Sequence, residues 1–276
     1  MHESSEQATN VAAVIQLSAG ADRERNLAMA KHWMKAAVDR GARLLVLPEN
    51  FSFMGEGESR KREMAEDPDR GPSLTFLREF ARHHGVWIVG GSVPLKTQHA
   101  DKVTNTAFVV DDLGDVRARY DKIHLFDVNL GGEEPFRESD IIAPGWEPVI
   151  IDSPFGRIGI SICYDLRFPE LYRKLAALGA TILVVPAAFT LTTGRDHWEL
   201  LLRARAVENF AYVLASDQWG RHPGGRRTFG HSMIVEPWGS VIAQVPDGEG
   251  FALAEINKAR VNRCRARIPC LGHRVL

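Results

Sequence analysis

Three residues carry the groups that nucleophilic attack on a carbonyl would need: a thiol, a carboxylate and an ammonium. Cys163 ends the apolar run RIGISI and opens the charged stretch CYDLRFPE, Glu49 follows RLLVL in LPENF, and Lys122 stands in YDKIHLFD. In such a set the thiol attacks, the carboxylate moves its proton, and the ammonium favours negative charge on sulfur or on a developing oxyanion. A free thiol, with a pKa of about 8.5, is mostly protonated at pH 7, so Lys122 is expected to favour the thiolate. Glu49, to serve as a base, is expected to be partly desolvated with a raised pKa. Each residue also has an ordinary reading taken singly: a buried structural thiol, a solvated loop glutamate, an exposed hairpin lysine. Ser161 in GISIC does not complete the G-x-S-x-G pattern of a serine nucleophile elbow.

The elements around these residues repeat an order. VAAVIQL (11–17), RLLVL (43–47) and VWIVGG (86–91) are short apolar runs that suit buried strands. Between them, Leu27, Ala30, Met34, Ala37 and Val38 recur at helical spacing and stop at Gly41. Ser73 is placed to cap a second helix that ends near Gly85. TNTAFVVDD and DVRARYDK flank a hairpin turn at Leu113-Gly114. The second half follows suit: a strand over 157–165, a helix over 168–178, the strand TILVVP, a helix from about Asp196 with Glu199 at capping-box spacing, the strand AYVLASD, and a hairpin turning at Trp238-Gly239. Each half reads β-α-β-α-β-β. Two such halves packed sheet to sheet predict a four-layer α-β-β-α sandwich of two pseudo-equivalent halves. Ligands in such folds sit beyond the carboxyl ends of the strands, where Glu49, Lys122 and Cys163 all lie.

Composition narrows the class. The 276 residues are 45% hydrophobic and 25% charged with a formal net charge of −1, the balance of a globular protein whose partner is a small molecule rather than nucleic acid or an acidic membrane. Residues 1–10 lack a secretory pattern and are expected to be a flexible terminus ahead of a single domain over 11–276. Three cysteines at spacings that suit neither disulfides nor zinc point to a reducing cytoplasm, with Cys264 and Cys270 incidental. The ten histidines show no H-x-x-x-H pairing, so no metal is expected, and His222 and His231 default to the surface.

LPENF (47–51), YDKIHLFD (120–127) and GISICYDLRFPE (159–170) resemble, in order and spacing, the three signatures of the nitrilase superfamily of carbon–nitrogen hydrolases. The resemblance extends through PAAFTLTTG (186–194), HWELLLRARAVEN (197–209) and GHSMIVEPWGSVIA (230–243). It implies that Glu49, Lys122 and Cys163 are catalytic and that a second glutamate maps best onto Glu138 in FRESD, with Glu133 and Glu134 nearby. It further implies a thioester on Cys163, an oxyanion held by Lys122 and the Tyr164 N–H, Phe189 and Thr193 lining the acyl pocket, no cofactor, and a homodimer or higher homo-oligomer. Arg167 is placed to bind a substrate carboxylate or, alternatively, to pair with Glu170 or meet a partner subunit. The details resemble the branch of deaminated glutathione amidases and omega-amidases, which hydrolyse a linear amide to an acid and ammonia. Within it the GHSMIVEPWG segment and the C-terminal RARIPCLGHR lean toward the deaminated-glutathione type; an omega-amide of a 2-oxo acid, an N-carbamoyl amino acid, or a silent binding protein on the same fold are the alternatives.

Overall fold

The computed structural model describes residues 10–57, 59–99, 101–129 and 136–275. The flexible terminus expected over 1–10 therefore lies, up to residue 9, outside the described residues.

Strand alternation sets the layers. Along Val11–Gln16, Ala12 and Val14 face one core while Ala13 and Ile15 face another. The same division separates Leu44 and Val46 from Leu45, and Val89 from Ile88. It follows from the two-residue period of a strand. The face bearing Ala13 and Ile15 packs on Met34 and Ala37 of the helix Arg23–Asp39 and on Leu77 and Phe80 of the helix Pro72–His84. The face bearing Ala12 and Val14 packs on the second sheet, whose far side is covered by Pro169–Ala177 and Leu191–Asn209 through Leu171, Leu175, Trp198 and Leu202. Both strand faces are thus buried, and the runs read as continuously apolar. This is the expected α-β-β-α sandwich.

Each sheet has a parallel centre. In the first, Val11–Gln16, Leu44–Val46 and Trp87–Val89 run parallel. In the second, Gly156–Ile160, Ile182–Ala187 and Tyr212–Asp217 do the same. Antiparallel hairpins extend both, Val103–Val110 with Val116–Asp121 and Met233–Val235 with Val241–Gln244, turning where the sequence predicts. The halves depart from strict equivalence in three ways: Val93–Lys96 adds an antiparallel strand to the first sheet beside Val103–Val110. Ile150–Ser153 adds an antiparallel edge to the second sheet, and Gly250–Glu255 crosses back to pair with Val11–Gln16, matching Val11 with Glu255. The halves are therefore interlocked by the chain's last strand.

Two helix starts differ from expectation. Ser73 does not cap Pro72–His84; Gly71 holds that position, and Ser73 donates from Oγ to Glu66 Oε1 at 2.6 Å. The helix expected from the Asp196–Glu199 capping-box spacing begins instead at Leu191 and contains Gly194, where a Cβ would meet the Phe229 side chain at 2.3 Å. Close packing, not a break, requires that glycine.

Two more glycines seat the segments that carry chemistry. A Cβ on Gly91, which has φ +54°, would meet the Pro48 carbonyl oxygen at 2.1 Å, one residue before Glu49. A Cβ on Gly145 would meet the Asp121 carbonyl oxygen at the same distance, one residue before Lys122. Gly91→Ala is expected to lower unfolding stability by about 2 kcal/mol or more, through strain and clash together. Urea titration at unchanged slope checks this, and a midpoint equal to that of the parent would refute the close approach.

Candidate active site

The ends of three strands converge on one cleft. Glu49 lies just past Leu44–Val46, Lys122 follows Val116–Asp121 directly, and Cys163 opens the one-turn 3-10 helix Cys163–Arg167 after Gly156–Ile160. Glu138 begins a second such turn, Glu138–Asp140. All four line one cleft, together with Tyr164, Phe189 and Thr193. Glu133 and Glu134, the other candidates for the second glutamate, lie outside the described residues.

Lys122 is the hub. Its Nζ donates to Glu49 Oε1 at 2.9 Å and to Glu138 Oε2 at 2.8 Å, with all three side chains buried. Further donors meet both carboxylates. Asn105 Nδ2 donates to Glu49 Oε1 at 2.8 Å and to Glu138 Oε1 at 3.3 Å. The Ala188 N–H donates to Glu49 Oε2 at 3.0 Å, and the Phe126 N–H to Glu138 Oε2 at 2.8 Å. Buried charges persist when they are paired and hydrogen-bonded in this way.

Cys163 has φ +48°, in the left-handed region. A non-glycine residue held there costs about 1–3 kcal/mol and persists only where its surroundings impose it. A strained strand-to-helix turn is the geometry of a nucleophile elbow, reached without the G-x-S-x-G sequence. Asn50, next to Glu49, has φ +56° and donates its N–H to Ser92 Oγ at 3.1 Å.

The electrostatics correct two expectations. Burial, the largest single influence, favours a neutral Glu49, but the Lys122 ammonium together with the charges of Lys61 and Arg226 holds the carboxyl below its ordinary range, not above it. The thiol of Cys163 is pushed well above its ordinary value, by burial first and then by the Glu49 charge, against the opposing pull of Lys122. Lys122 thus does not generate a resting thiolate. At neutral pH the site holds a thiol beside an ionised carboxylate. Lys122 resists the effect of burial and is raised, because Glu138 and Glu49 both favour its charge. Glu138 is likewise buried, yet Lys122 brings it down to about 2.

Several lining residues were not read from sequence: Lys61, Phe126, Phe136 and Arg226. Arg226 donates from Nη2 to the Ala188 carbonyl at 3.0 Å and lies over the Phe136 ring. Asn105 carries a legible signal, a carboxamide between two threonines at the start of the buried TNTAFVV strand. Arg167 is not among the residues lining this cleft. Its guanidinium lies 3.3 Å from His197 Nδ1 and over the Phe189 ring. His222 is buried rather than at the surface, because its Nδ1 meets the Ala19 carbonyl and its Nε2 the Thr228 hydroxyl. Burial lowers it to about 4, so the ring is neutral at pH 7. His231 sits partly exposed beside Asp247. Among the described residues no cluster of three or more His, Cys, Asp or Glu is arranged to hold a metal. Among them, too, no helix is long and apolar enough to cross a membrane.

The pairing of Glu138 has a pH signature. Its folded value of about 2 lies below the ordinary 4.5, so the stabilisation is complete above pH 4.5 and is lost as pH falls toward 2. Glu138→Gln is expected to be less stable than the parent at pH 7 by about 3 kcal/mol. That gap should close between pH 4.5 and 2 in urea titrations; a gap constant across the window would contradict the charged pairing.

Comparison with known proteins agrees with this geometry. A family model described as carbon–nitrogen hydrolase matches residues 11–266. A deaminated glutathione amidase of Yersinia enterocolitica is 42% identical over 263 residues, 95% of this chain and 91% of that protein. The crystal structure of Caenorhabditis elegans NitFhit superposes with a TM-score of 0.90 at 39% identity, over 97% of this chain and 65% of that one. A glutamate-to-glutamine mutant of a Nesterenkonia amidase, solved after Michael addition of acrylamide at its active-site cysteine, gives a TM-score of 0.78 at 28% identity, over 94% of this chain and 98% of that one. The chain belongs to the carbon–nitrogen hydrolase family and is a hydrolase of carbon–nitrogen bonds other than peptide bonds.

Proposed function

We propose that the protein is an amidase of the deaminated glutathione type, working through a thioester on Cys163. The observation that carries this reading is a buried Lys122 clamped by Glu49 and Glu138 in the cleft that also holds a thiol in a strained turn. Cys163 Sγ bonds to the amide carbon as Glu49 takes the thiol proton. Lys122 and the Tyr164 N–H receive the charge on oxygen; one such donor typically contributes about 3 kcal/mol. The carbon–nitrogen bond then breaks as Glu49 passes its proton to the departing nitrogen. Water, deprotonated by Glu49, attacks the thioester, and the proton returns to sulfur as the acid leaves. Glu138 orients Lys122 throughout.

The lining supports a substrate that carries a carboxylate. Lys61 and Arg226 add positive charge to the cleft, while Phe126, Phe136 and Phe189 offer apolar walls that strengthen charge pairing by excluding water. Phe189 and Thr193 remain assigned to the acyl pocket. Arg167 would act on a carboxylate from behind Phe189, or only after that ring moves. Exposed Leu200 and Val207 on the helix Leu191–Asn209, with Trp238 nearby in the Phe210 stack, favour a homodimer across this face. The free cysteines favour a reducing, cytoplasmic setting.

Cys163→Ala is expected to abolish turnover in a protein that still melts cooperatively. A trapped acyl adduct on the parent enzyme should map by mass spectrometry to Cys163 and not to Cys264 or Cys270. Activity retained in the alanine variant would remove Cys163 from the reaction. Substrate class is read by following acid product from deaminated glutathione, 2-oxoglutaramate, 2-oxosuccinamate and N-carbamoyl amino acids. Deaminated glutathione is expected to give the highest kcat/KM; if it is inert while an omega-amide turns over, the chemistry stands and the assigned substrate falls. Light scattering should return twice the chain mass, and a monomer at micromolar concentration would contradict the dimer.

A further inference from the structure

Cys163 and Lys122 belong to different sheets, and a single buried carboxylate joins the segments that carry them. Asp165, two residues after Cys163, is fully buried. Its Oδ2 accepts from the Tyr120 hydroxyl at 2.6 Å and from the Ile162 N–H at 2.8 Å. Its Oδ1 accepts from the His124 N–H at 3.0 Å and lies 2.7 Å from His124 Nδ1. Tyr120 and His124 stand two residues before and two after Lys122, and Ile162 adjoins Cys163. The Asp165 N–H also donates to the Ile162 carbonyl at 3.0 Å, so Asp165 closes the strained turn by backbone and side chain together. The His124 ring is itself fixed, stacked on Phe168 with centroids 3.7 Å apart and planes 7° from parallel.

We propose that Asp165 is a positioning residue for the hydrolysis: it sets the place of Cys163 relative to Lys122 by clamping Tyr120, His124 and Ile162 at once, without touching substrate. The proposal rests on reading Cys163 and Lys122 as the reacting pair. An ionised carboxylate has about four acceptor sites, and here four donors occupy them. Glu49 and Glu138 hold Lys122 from the cleft side; Asp165 holds its strand from the side of the nucleophile. Reacting groups misplaced by as little as about 1 Å can lose a hundredfold in rate, so a link of this kind acts on kcat.

Asp165→Asn is the sharp test, because an amide cannot satisfy both sides. The Tyr120 hydroxyl can turn to accept, and the His124 ring can change tautomer. The N–H groups of Ile162 and His124 cannot. Whichever way the substituted amide lies, its NH2 faces one of those two backbone donors, so either the Cys163 turn or the Lys122 segment is released. Tyr120→Phe removes one donor and keeps the carboxylate with its other partners.

The experiment measures kcat, KM and the pre-steady-state burst of 4-nitrophenolate from 4-nitrophenyl acetate for Asp165→Asn, Tyr120→Phe, Cys163→Ala and the parent. Asp165→Asn is expected to lose kcat and burst rate by about tenfold or more, the scale of one charge-assisted hydrogen bond expressed in the transition state. Its KM should stay within about threefold and its burst amplitude per chain should be retained, as for an interaction made in the transition state alone. A reduced amplitude with the parent's rate constant would mean that Asp165 only keeps the chain folded, and would overturn the proposal; so would a parent-like kcat. If Asp165→Asn does not fold, Tyr120→Phe decides: a lower burst rate at full amplitude supports the clamp, and the parent's rate overturns it. A burst from Cys163→Ala would instead show that the nucleophile is misassigned, a separate failure.

Discussion

The ammonium of Lys122, buried between the carboxylates of Glu49 and Glu138, is the interaction on which the rest of the site depends. Removing three charged groups from water is costly, and the attraction among them offsets that cost only when every remaining donor and acceptor is met. Here Asn105, the Ala188 N–H and the Phe126 N–H add donors to the carboxylates, while Asn105 Oδ1 has no hydrogen-bond partner among the described residues. Those partners come from the first sheet, from the end of a strand in the second, and from the loop after Lys122. The cluster can therefore form only where the two sheets are packed and their strand ends aligned. The sandwich thus brings together residues from distant stretches of sequence, Glu49 in one half and Cys163 in the other.

Backbone constraints do the aligning. Gly91 and Gly145 let neighbouring segments lie against the peptides that precede Glu49 and Lys122, where any side chain would intrude. Gln218 adds a stitch between the sheets, since its side chain accepts from the Ala19 N–H and donates to the Glu49 carbonyl. The peptide of Trp219 donates to the Leu17 carbonyl at 2.8 Å, joining the ends of the two central strands. Glu49 is thus fixed by its backbone from the second sheet and by its carboxylate from both. On the proposed chemistry, a base held in this way has little freedom to follow a misplaced substrate, so specificity falls to the residues that line the cleft.

The sequence made the layers and the reacting trio legible for a definite reason. Short apolar runs alternating with helical periodicity encode parallel strands under helices, and Glu49, Lys122 and Cys163 each sit at a point where an apolar run gives way to charge. What it hid depended on contacts between distant segments. GFALAE could not be seen to cross back to Val11–Gln16, because partners such as Val11 and Glu255, near opposite ends of the chain, leave no local pattern. The helix start at Leu191 is hidden because the contact that Gly194 allows, with the Phe229 side chain, lies elsewhere in sequence. The ionisation pattern is hidden for the same reason: burial alone would raise Glu49, whereas its neighbour is a cation 73 residues away.

That corrected ionisation pattern bears on how an unactivated amide is opened. On the proposed chemistry the resting proton sits on sulfur, and Glu49, held low by Lys122, has little tendency to take it unaided. Proton transfer becomes favourable only as the sulfur–carbon bond forms and charge passes to the carbonyl oxygen near Lys122, where the cation that depressed Glu49 now stabilises the oxyanion instead. On that chemistry the developing oxyanion shares the Lys122 charge with Glu49, so the basicity of Glu49 would rise at that moment. Once protonated, the same carboxyl is a strong acid toward the departing nitrogen, the step on which amide cleavage most depends. A thiol kept neutral at rest and a base kept weak at rest thus meet around one buried cation, and both are relieved by the transition state rather than by the substrate.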